Sequence, residues 1–546
     1  MTGFKRSILW VIAILIFSLP VILPLTKPNY FPSHDGEWAV VRLAEMNREI
    51  KDLQIPPRWS DFLNHGFGYP LFLFTYPFPY YLGAVLHLFG FGLIDSIKLL
   101  FIISVIFSGI FMFLLGKELE GDTAGFIAAA LYMYAPFRLV DIYVRGSIGE
   151  SLSFVLFPLL FWLSLKLAQT RNFLYLVFTS ASFAVLIMTH NVMALIFAPI
   201  WLVFLFISVK FYYEDIGKYI FRYFIPTILL GLGLSAYFWL PAIMEKKYII
   251  LSQIPLSDIS QNFIQPIELF NSTWNYGIRP SFQLGWVHIL LFIVGVVVLL
   301  TEKGLERKKN LFLGSYMMLS IAGLILMTLH ISYPLWKLPF LSSIDFPWRL
   351  LGPIVFFLSL GTMFAVDRKI IKYFSIGFII IAFFLIPNFA KPAGLILKND
   401  DYYRNIDATT TSADELMPLW VSFKPKDRYK NKVEIDGGNG LITSLVYNSG
   451  QIKFTSISNA SIRLRVNSIY FPGWVYKSDG QLVDINYSNP GGIVIFELPP
   501  GTHNITANFT ETPIRIWSDV ISLLSSVLAL SLLAIYALPR LKNKFV

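Results

Sequence analysis

The chain contains no cysteine in 546 residues. A disulfide framework, a cysteine-ligated zinc and a cysteine nucleophile are therefore all excluded. Charge is scarce as well: Asp, Glu, Lys and Arg together make up 14% of the residues, against roughly 25% in soluble proteins. So few charges cannot clothe a water-facing surface, and most of the surface must meet lipid or other helices. Histidine occurs seven times, at 34, 65, 87, 190, 288, 330 and 503, with no H-x-H or H-x-x-x-H pair. That spacing rules out a closely spaced histidine zinc site. Low-complexity tracts and internal repeats are also missing.

What the chain does have is apolar. Hydrophobic residues make up 55% and aromatics 16%. Phe suits lipid-facing helices, whereas Trp and Tyr favour the headgroup level. A net charge of +10 invites a nucleic-acid reading, but the basic residues sit in short clusters between apolar runs. There they set topology, so the expected partner is the lipid bilayer and not nucleic acid.

Runs that meet or approach the roughly 20 residues needed to cross a bilayer lie at 7–25, 96–116, 123–138, 151–169, 173–190, 192–209, 220–241, 283–301, 311–330, 347–366, 371–389 and 516–538. The run 69–90 contains Pro70, Pro77 and Pro79, and three prolines break a straight helix. It reads as a juxtamembrane or re-entrant segment. The first run follows Lys5 and Arg6 and has no small-residue cleavage site, so it reads as a retained helix and not a signal peptide.

Loop charge orients these runs. With the N-terminus inside, the inner segments hold eighteen Lys and Arg, among them Lys303, Arg307, Lys308, Lys309, Arg368, Lys369 and Lys372, while the short outer loops 139–150, 242–282 and 331–346 hold five. This obeys the positive-inside rule; counting 69–90 as a span would reverse every later loop. The expectation is a polytopic α-helical protein of the plasma membrane with about twelve spans and both termini cytoplasmic.

Three outer regions follow: 27–95, 242–282 and 391–515. The last is large enough for a domain, which divides the chain into a membrane domain over 1–390, an outer domain over 391–515, and a final helix with its tail over 516–546. Within the outer domain, apolar and polar residues alternate through Ile462–Val466, Gly492–Leu498 and His503–Phe509. Turn signals at Asp436-Gly437-Gly438, Ser478-Asp479-Gly480 and Pro490-Gly491-Gly492 separate the strands. The pattern predicts a small β-sandwich.

Chemistry-bearing residues cluster in the outer loops. His34-Asp35-Gly36-Glu37 follows the first helix, ahead of an amphipathic stretch, 38–52, suited to lying on the interface. Asp35 reads either as the N-cap of that stretch or as a base or metal ligand at the membrane surface. In the next loop Asp141 and Arg145 are four residues apart and would face together on a helix, as a structural ion pair or as a phosphate clamp, since the planar guanidinium fork matches phosphate oxygens. His190 ends one run and begins the next; it is a satisfied interface residue or a ligand near Asp35. Arg349 and Arg58 either snorkel to headgroups or bind a lipid phosphate. In the outer domain Tyr470, Trp474 and Tyr476 read as core before they read as a sugar platform.

The order His34-Asp35-Gly36, an interfacial helix, Pro56-Pro57-Arg58-Trp59, Gly66-Phe67-Gly68-Tyr69-Pro70 and the 69–90 run resembles the opening of a bacterial membrane family, the "6-pyruvoyl-tetrahydropterin synthase-related" membrane domain. Asp141 to Gly146, Gly149-Glu150, Thr189-His190-Asn191, Phe346-Pro347-Trp348-Arg349 and Phe471-Pro472-Gly473-Trp474 extend the resemblance along nearly the whole chain. The chain is similar to YfhO-type membrane proteins and, more distantly, to GT-C-fold glycosyltransferases. The pterin label is not taken literally, because the histidines lack the spacing of a pterin synthase zinc site. The GT-C resemblance implies a sugar moved from a polyprenyl-phosphate-linked donor to an acceptor at the outer face. It implies Asp35 as base, with Glu37, Asp141 or Glu150 as further carboxylates. Arg58, Arg145, Arg349 and His190 would then hold the phosphate, and His34 with Asp35 would be the ligands if a divalent metal ion serves as cofactor. Two other functions compete: transport or flipping of a cell-envelope glycolipid precursor, which would favour broken helices, and a non-catalytic envelope scaffold, in which the acids are caps and ion pairs.

Overall fold

A computed structural model describes residues 3–212, 215–254, 257–301, 307–339, 341–367, 369–411 and 413–542. Among these, seven helices are long and apolar enough to cross a membrane: Ile8–Thr26, Leu93–Glu120, Ile148–Thr170, Asn191–Lys210, Arg307–Thr328, Pro347–Val366 and Pro513–Tyr536. Two further pairs qualify together but are bent, by 44° at Asp122–Tyr134 with Pro136–Arg145 and by 72° at Ile216–Leu234 with Ala236–Tyr248. Counting each pair as one span gives up to nine, not the twelve expected. The remaining three runs are helical but shorter, at Phe173–Thr189, Trp286–Thr301 and Lys372–Asn388. Both bends have local causes. At the first, Ala135 is extended before Pro136, as the residue before proline tends to be. At the second, Ser235 leaves helical geometry after a glycine-rich turn. The basic residue Lys303 and the rest of 302–306, together with Arg368, Lys544 and the end of the tail, lie outside the described residues.

The 69–90 run is broken where its prolines predict. Leu71–Phe74 and Phe78–Leu88 are separate short helices, and Thr75 between them is extended. The expected interfacial helix forms over Gly36–Lys51 but does not lie on an open lipid surface. Val40, Val41, Leu43 and Met46 are fully buried, and so are Glu45 and Glu49. It packs against Phe78–Leu88, Leu93–Glu120 and the short helix Asp400–Arg404. Its apolar stripe faces protein because the chain after the eleventh apolar run folds back over it: Tyr30 pairs with Ile396, and Arg42 bonds Thr410.

The region before the last helix is rich in strand: β1 (Val433–Gly437), β2 (Leu441–Asn448), β3 (Gln451–Ser458), β4 (Ile462–Ile469), β5 (Trp474–Ser478), β6 (Gln481–Leu482), β7 (Ile493–Leu498) and β8 (Gly501–Phe509). They form two antiparallel sheets, β1-β4-β7 and β2-β3-β8-β5-β6. Alternation along β3 buries Ile452 and Phe454, which pair with Ala507 and Ile505 of β8. Asp479 and Gly480 both have positive φ and close the two-residue β5–β6 hairpin. Tyr476 of one sheet meets Phe496 of the other, with ring centroids 5.9 Å apart. The segment 56–69, far earlier in sequence, joins this unit. Trp59 lies against Phe509, Trp474 and Phe471 at 5.4, 6.0 and 6.2 Å, and the Ile469 N–H donates to the Phe67 carbonyl at 2.7 Å.

Candidate functional site

The strand-like entry to helix 36–51 is laid against the end of the bent Pro136–Arg145 segment. The His34 N–H donates to the Val144 carbonyl at 3.1 Å and the Asp35 N–H to the Arg145 carbonyl at 2.8 Å. Gly146 permits this approach. Its φ is +63°, and a Cβ there would stand 2.9 Å from the Gly36 backbone. The Asp141–Arg145 turn is wound wide, with the Gly146 N–H bonding back to the Asp141 carbonyl; such wide turns recur at functional sites.

Asp35 occupies the N-cap position, but its side chain makes no capping hydrogen bond. The carboxylate is exposed and its charge acts on Arg145, Arg42 and Tyr76. Beside it Arg145 is almost fully buried. Its guanidinium bonds Asp141 and forks onto Glu150 at 2.5 and 2.8 Å, and it lies 4.4 Å over the ring of Trp348. Arg349 reaches the same Glu150 through Nε at 2.9 Å. His190 Nδ1 accepts from the Met193 N–H at 3.2 Å, which leaves Nε2 facing Glu150 at 3.7 Å. Five residues named from the sequence are thus brought together: Arg145, His190 and Arg349 meet at Glu150, and Asp141 joins them through Arg145, with Asp35 at the rim.

The other named residues point elsewhere. Glu37 accepts from the Tyr403 hydroxyl at 3.1 Å, on the far side of its helix turn. His34 Nε2 faces the Gly277 carbonyl at 3.0 Å. Among the described residues no group of three or more His, Asp or Glu is arranged to hold a metal ion. Arg58 stands apart from the cluster: it pairs with Glu511 at 2.9 Å and Asp519 at 2.7 Å, and caps the Tyr237 carbonyl at 3.1 Å. It ties the start of the last helix to the membrane part.

Two neighbours of Asp35, Arg42 and Tyr76, were missed in the sequence. Arg42 lies two helical turns after Asp35 and so on the same face; it is held by Thr410 Oγ1 at 3.1 Å and Tyr80 at 3.5 Å. The seven-residue spacing was the available signal. Tyr76 sits in the break of the 69–90 run and stacks on His190 at 5.0 Å, with Tyr80 stacked beyond it at 6.2 Å. Burial, with Tyr80 adding to it and Arg42 opposing, lifts the Tyr76 phenol above its usual range, so it stays a hydrogen-bond donor.

A model of the family described as "6-pyruvoyl-tetrahydropterin synthase related domain; membrane protein" matches residues 73–392, and the chain belongs to that family. It is a multi-pass membrane protein. No curated protein matches it. Among solved structures it is similar to the oligosaccharyltransferase of Archaeoglobus fulgidus in its apo form, at 13% identity over 78% of this chain and 62% of that one, with a TM-score of 0.43. The archaeal oligosaccharyltransferase AglB from the same organism, in complex with an inhibitory peptide and a dolichol-phosphate, matches at 14% identity over 77% and 62%, also with a TM-score of 0.43. The A. fulgidus oligosaccharyltransferase in complex with zinc and sulfate matches at 13% identity over 76% and 59%, with a TM-score of 0.40. The chain spans about three fifths of the length of these proteins. Superposition at this level is too loose for a shared fold or activity to follow from it.

Proposed function

We propose that this chain is a membrane glycosyltransferase of the GT-C type, which moves a sugar from a polyprenyl-phosphate-linked donor to an acceptor at the outer face of the membrane. The observation that carries the reading is Asp35: a carboxylate at a helix start that does not cap its helix, beside a buried arginine cluster. In that cluster Arg145 and the half-buried Arg349 converge on Glu150, and Arg145 also holds Asp141. Two planar guanidinium groups aimed at one point suit a phosphate.

The proposed chemistry balances as follows. Asp35 takes the proton of an acceptor hydroxyl. The acceptor oxygen bonds to the anomeric carbon of the sugar. The bond from that carbon to the phosphate oxygen breaks, and the polyprenyl phosphate leaves with the electron pair, its charge met by Arg349 and Arg145. Tyr76 and His190, stacked at 5.0 Å, line the approach between base and phosphate clamp. No step runs through a metal.

Asp35→Asn tests the reading. A positioned general base contributes roughly 10²–10⁴-fold, so release of polyprenyl phosphate from a panel of polyprenyl-phosphate sugars, followed in proteoliposomes, should fall by that factor. Accumulation and insertion should persist, because the Asp35 side chain makes no capping hydrogen bond that Asn would lose. Full transfer by the variant would overturn the mechanism. It would favour transport of a lipid-linked precursor instead, a second reading that needs no base and for which the two bent helix pairs would have to stand in corresponding halves.

A further inference from the structure

Arg138 takes no part in the reaction above, yet it is fully buried. It lies in Pro136–Val140, three residues before Asp141. Its Nη2 donates to the Ser104 carbonyl at 2.8 Å, and its guanidinium lies 4.8 Å over Phe154 and 5.5 Å over Tyr132. Nε and Nη1 are buried with no hydrogen-bond partner among the described residues. A buried cation with unmet donors is costly, and fixed polar defects of this kind call for an explanation.

Asp141 carries the complementary defect. One carboxylate oxygen takes Arg145, while Oδ2 is buried and unpartnered. Residues three apart on a helical stretch are neighbours on one face, and Arg138 and Asp141 each feel the other's charge. Arg145, by contrast, spends three of its five N–H donors on Asp141 and both oxygens of Glu150. A phosphate that takes the remaining donors stands beside Asp141 and repels it, which loosens the Asp141 bond.

We propose that Arg138 is the alternative partner of Asp141. When phosphate binds Arg145, Asp141 moves its hydrogen bond from Arg145 to the free donors of Arg138. Arg145 thereby exchanges a carboxylate for the substrate's phosphate, and the donors of Arg138 that are unmet without phosphate find their partner when it binds. Arg138 is a positioning residue: it touches no substrate and acts through Asp141. The inference rests on the phosphate-binding reading of the site. A ligand shifts such a two-state pair only by its differential affinity, so removing Arg138 weakens phosphate binding by destabilising the bound arrangement.

The test measures binding of a polyprenyl monophosphate, with the matching polyprenol as control, to the full-length protein in nanodiscs. Wild type should bind the phosphate and not the alcohol. Arg138→Met should weaken binding about tenfold, the worth of a hydrogen bond to a charged group. In an Asp141→Asn background there is no displaced carboxylate to receive, so Arg138→Met should cost nothing further there. Should the methionine variant fail to accumulate, Arg138→Lys, which keeps the charge and loses the fork, is expected to weaken binding in the same Asp141-dependent way. Equal affinity of Arg138 variants and wild type, or the same loss in the Asp141→Asn background, would overturn the proposal while the phosphate site stands. Wild-type protein that does not prefer the phosphate would remove the site reading itself, and this inference with it.

Discussion

A carboxylate shut away from water has to be neutralised by its surroundings, and Glu150 shows how many groups that can recruit. It is fully buried, takes the Arg145 fork and Arg349 Nε, and faces His190. Glu150→Gln keeps the shape and removes the charge. It leaves Arg349 without its carboxylate and Arg145 with Asp141 alone. Breaking a buried pair from one side costs about 3–5 kcal/mol, so the melting temperature of the purified protein should fall clearly; an unchanged value would mean that the cluster contributes nothing to stability. The residue types and the local spacing of Asp141, Arg145 and Glu150 were legible in the sequence, because a four-residue separation on a helix brings side chains together wherever the helix lies. The arrival of Arg349, 199 positions further on, was legible only as a suspicion, and the departure of Arg58 to Glu511 and Asp519 was not legible at all.

At the scale of single elements, helix 36–51 departs most from its pattern. Its amphipathic period suggested a lipid surface, but its polar residues are buried against the outer region. Burial raises the Glu45 carboxyl to about 7, against the opposing effects of Arg48 and Ser60. Burial raises Glu49 well above the ordinary range, with Glu45 adding to it. On the facing segment, burial lowers the Lys432 ammonium to about 8, with Asp61 opposing. The signs follow from proton counting. Between roughly pH 4.5 and 7 the folded chain keeps the Glu45 proton that the unfolded chain has lost, so this contribution to stability declines as pH rises. Between roughly pH 8 and 10.4 the folded chain has lost the Lys432 proton that the unfolded chain keeps, so Lys432 by itself favours folding more as pH rises there, while Glu49 acts in the opposite sense. Hydrogen exchange along 36–51, relative to its intrinsic rate, should therefore quicken as pH rises from about 4.5 to 7. In Glu45→Gln that slope should shrink; an unaltered slope in the variant would contradict the assignment.

For the whole molecule, loop charge makes a prediction about orientation. The positive-inside pattern predicts 301–310 and 367–372 on the cytoplasmic side and 391–515 outside. Reporter fusions placed after Lys309 and after Gly450 should accordingly report opposite sides, and agreement between them would sink the orientation. The placement of Asp35, Arg145 and Arg349 on the outer face depends on the same orientation. Their mutual packing does not, since it is built from contacts within the chain.

The division between sequence and tertiary structure is a division between local and collective quantities. The membrane class, the break in 69–90 and the β5–β6 hairpin could all be read from the sequence, because apolar length, a missing N–H and an allowed positive φ are properties of a few consecutive residues. Span length was less secure: a helix may bend or stop short wherever neighbours take over its burial, which is why seven to nine helices pass by length where twelve runs were expected. Only the folded chain decided which charges meet. Arg42, Tyr76, His190 and Arg349 come from four separate segments, and a buried charge accepts whichever partner packing brings within reach. That choice is a balance of desolvation and pairing over the whole molecule, and no window of sequence contains it.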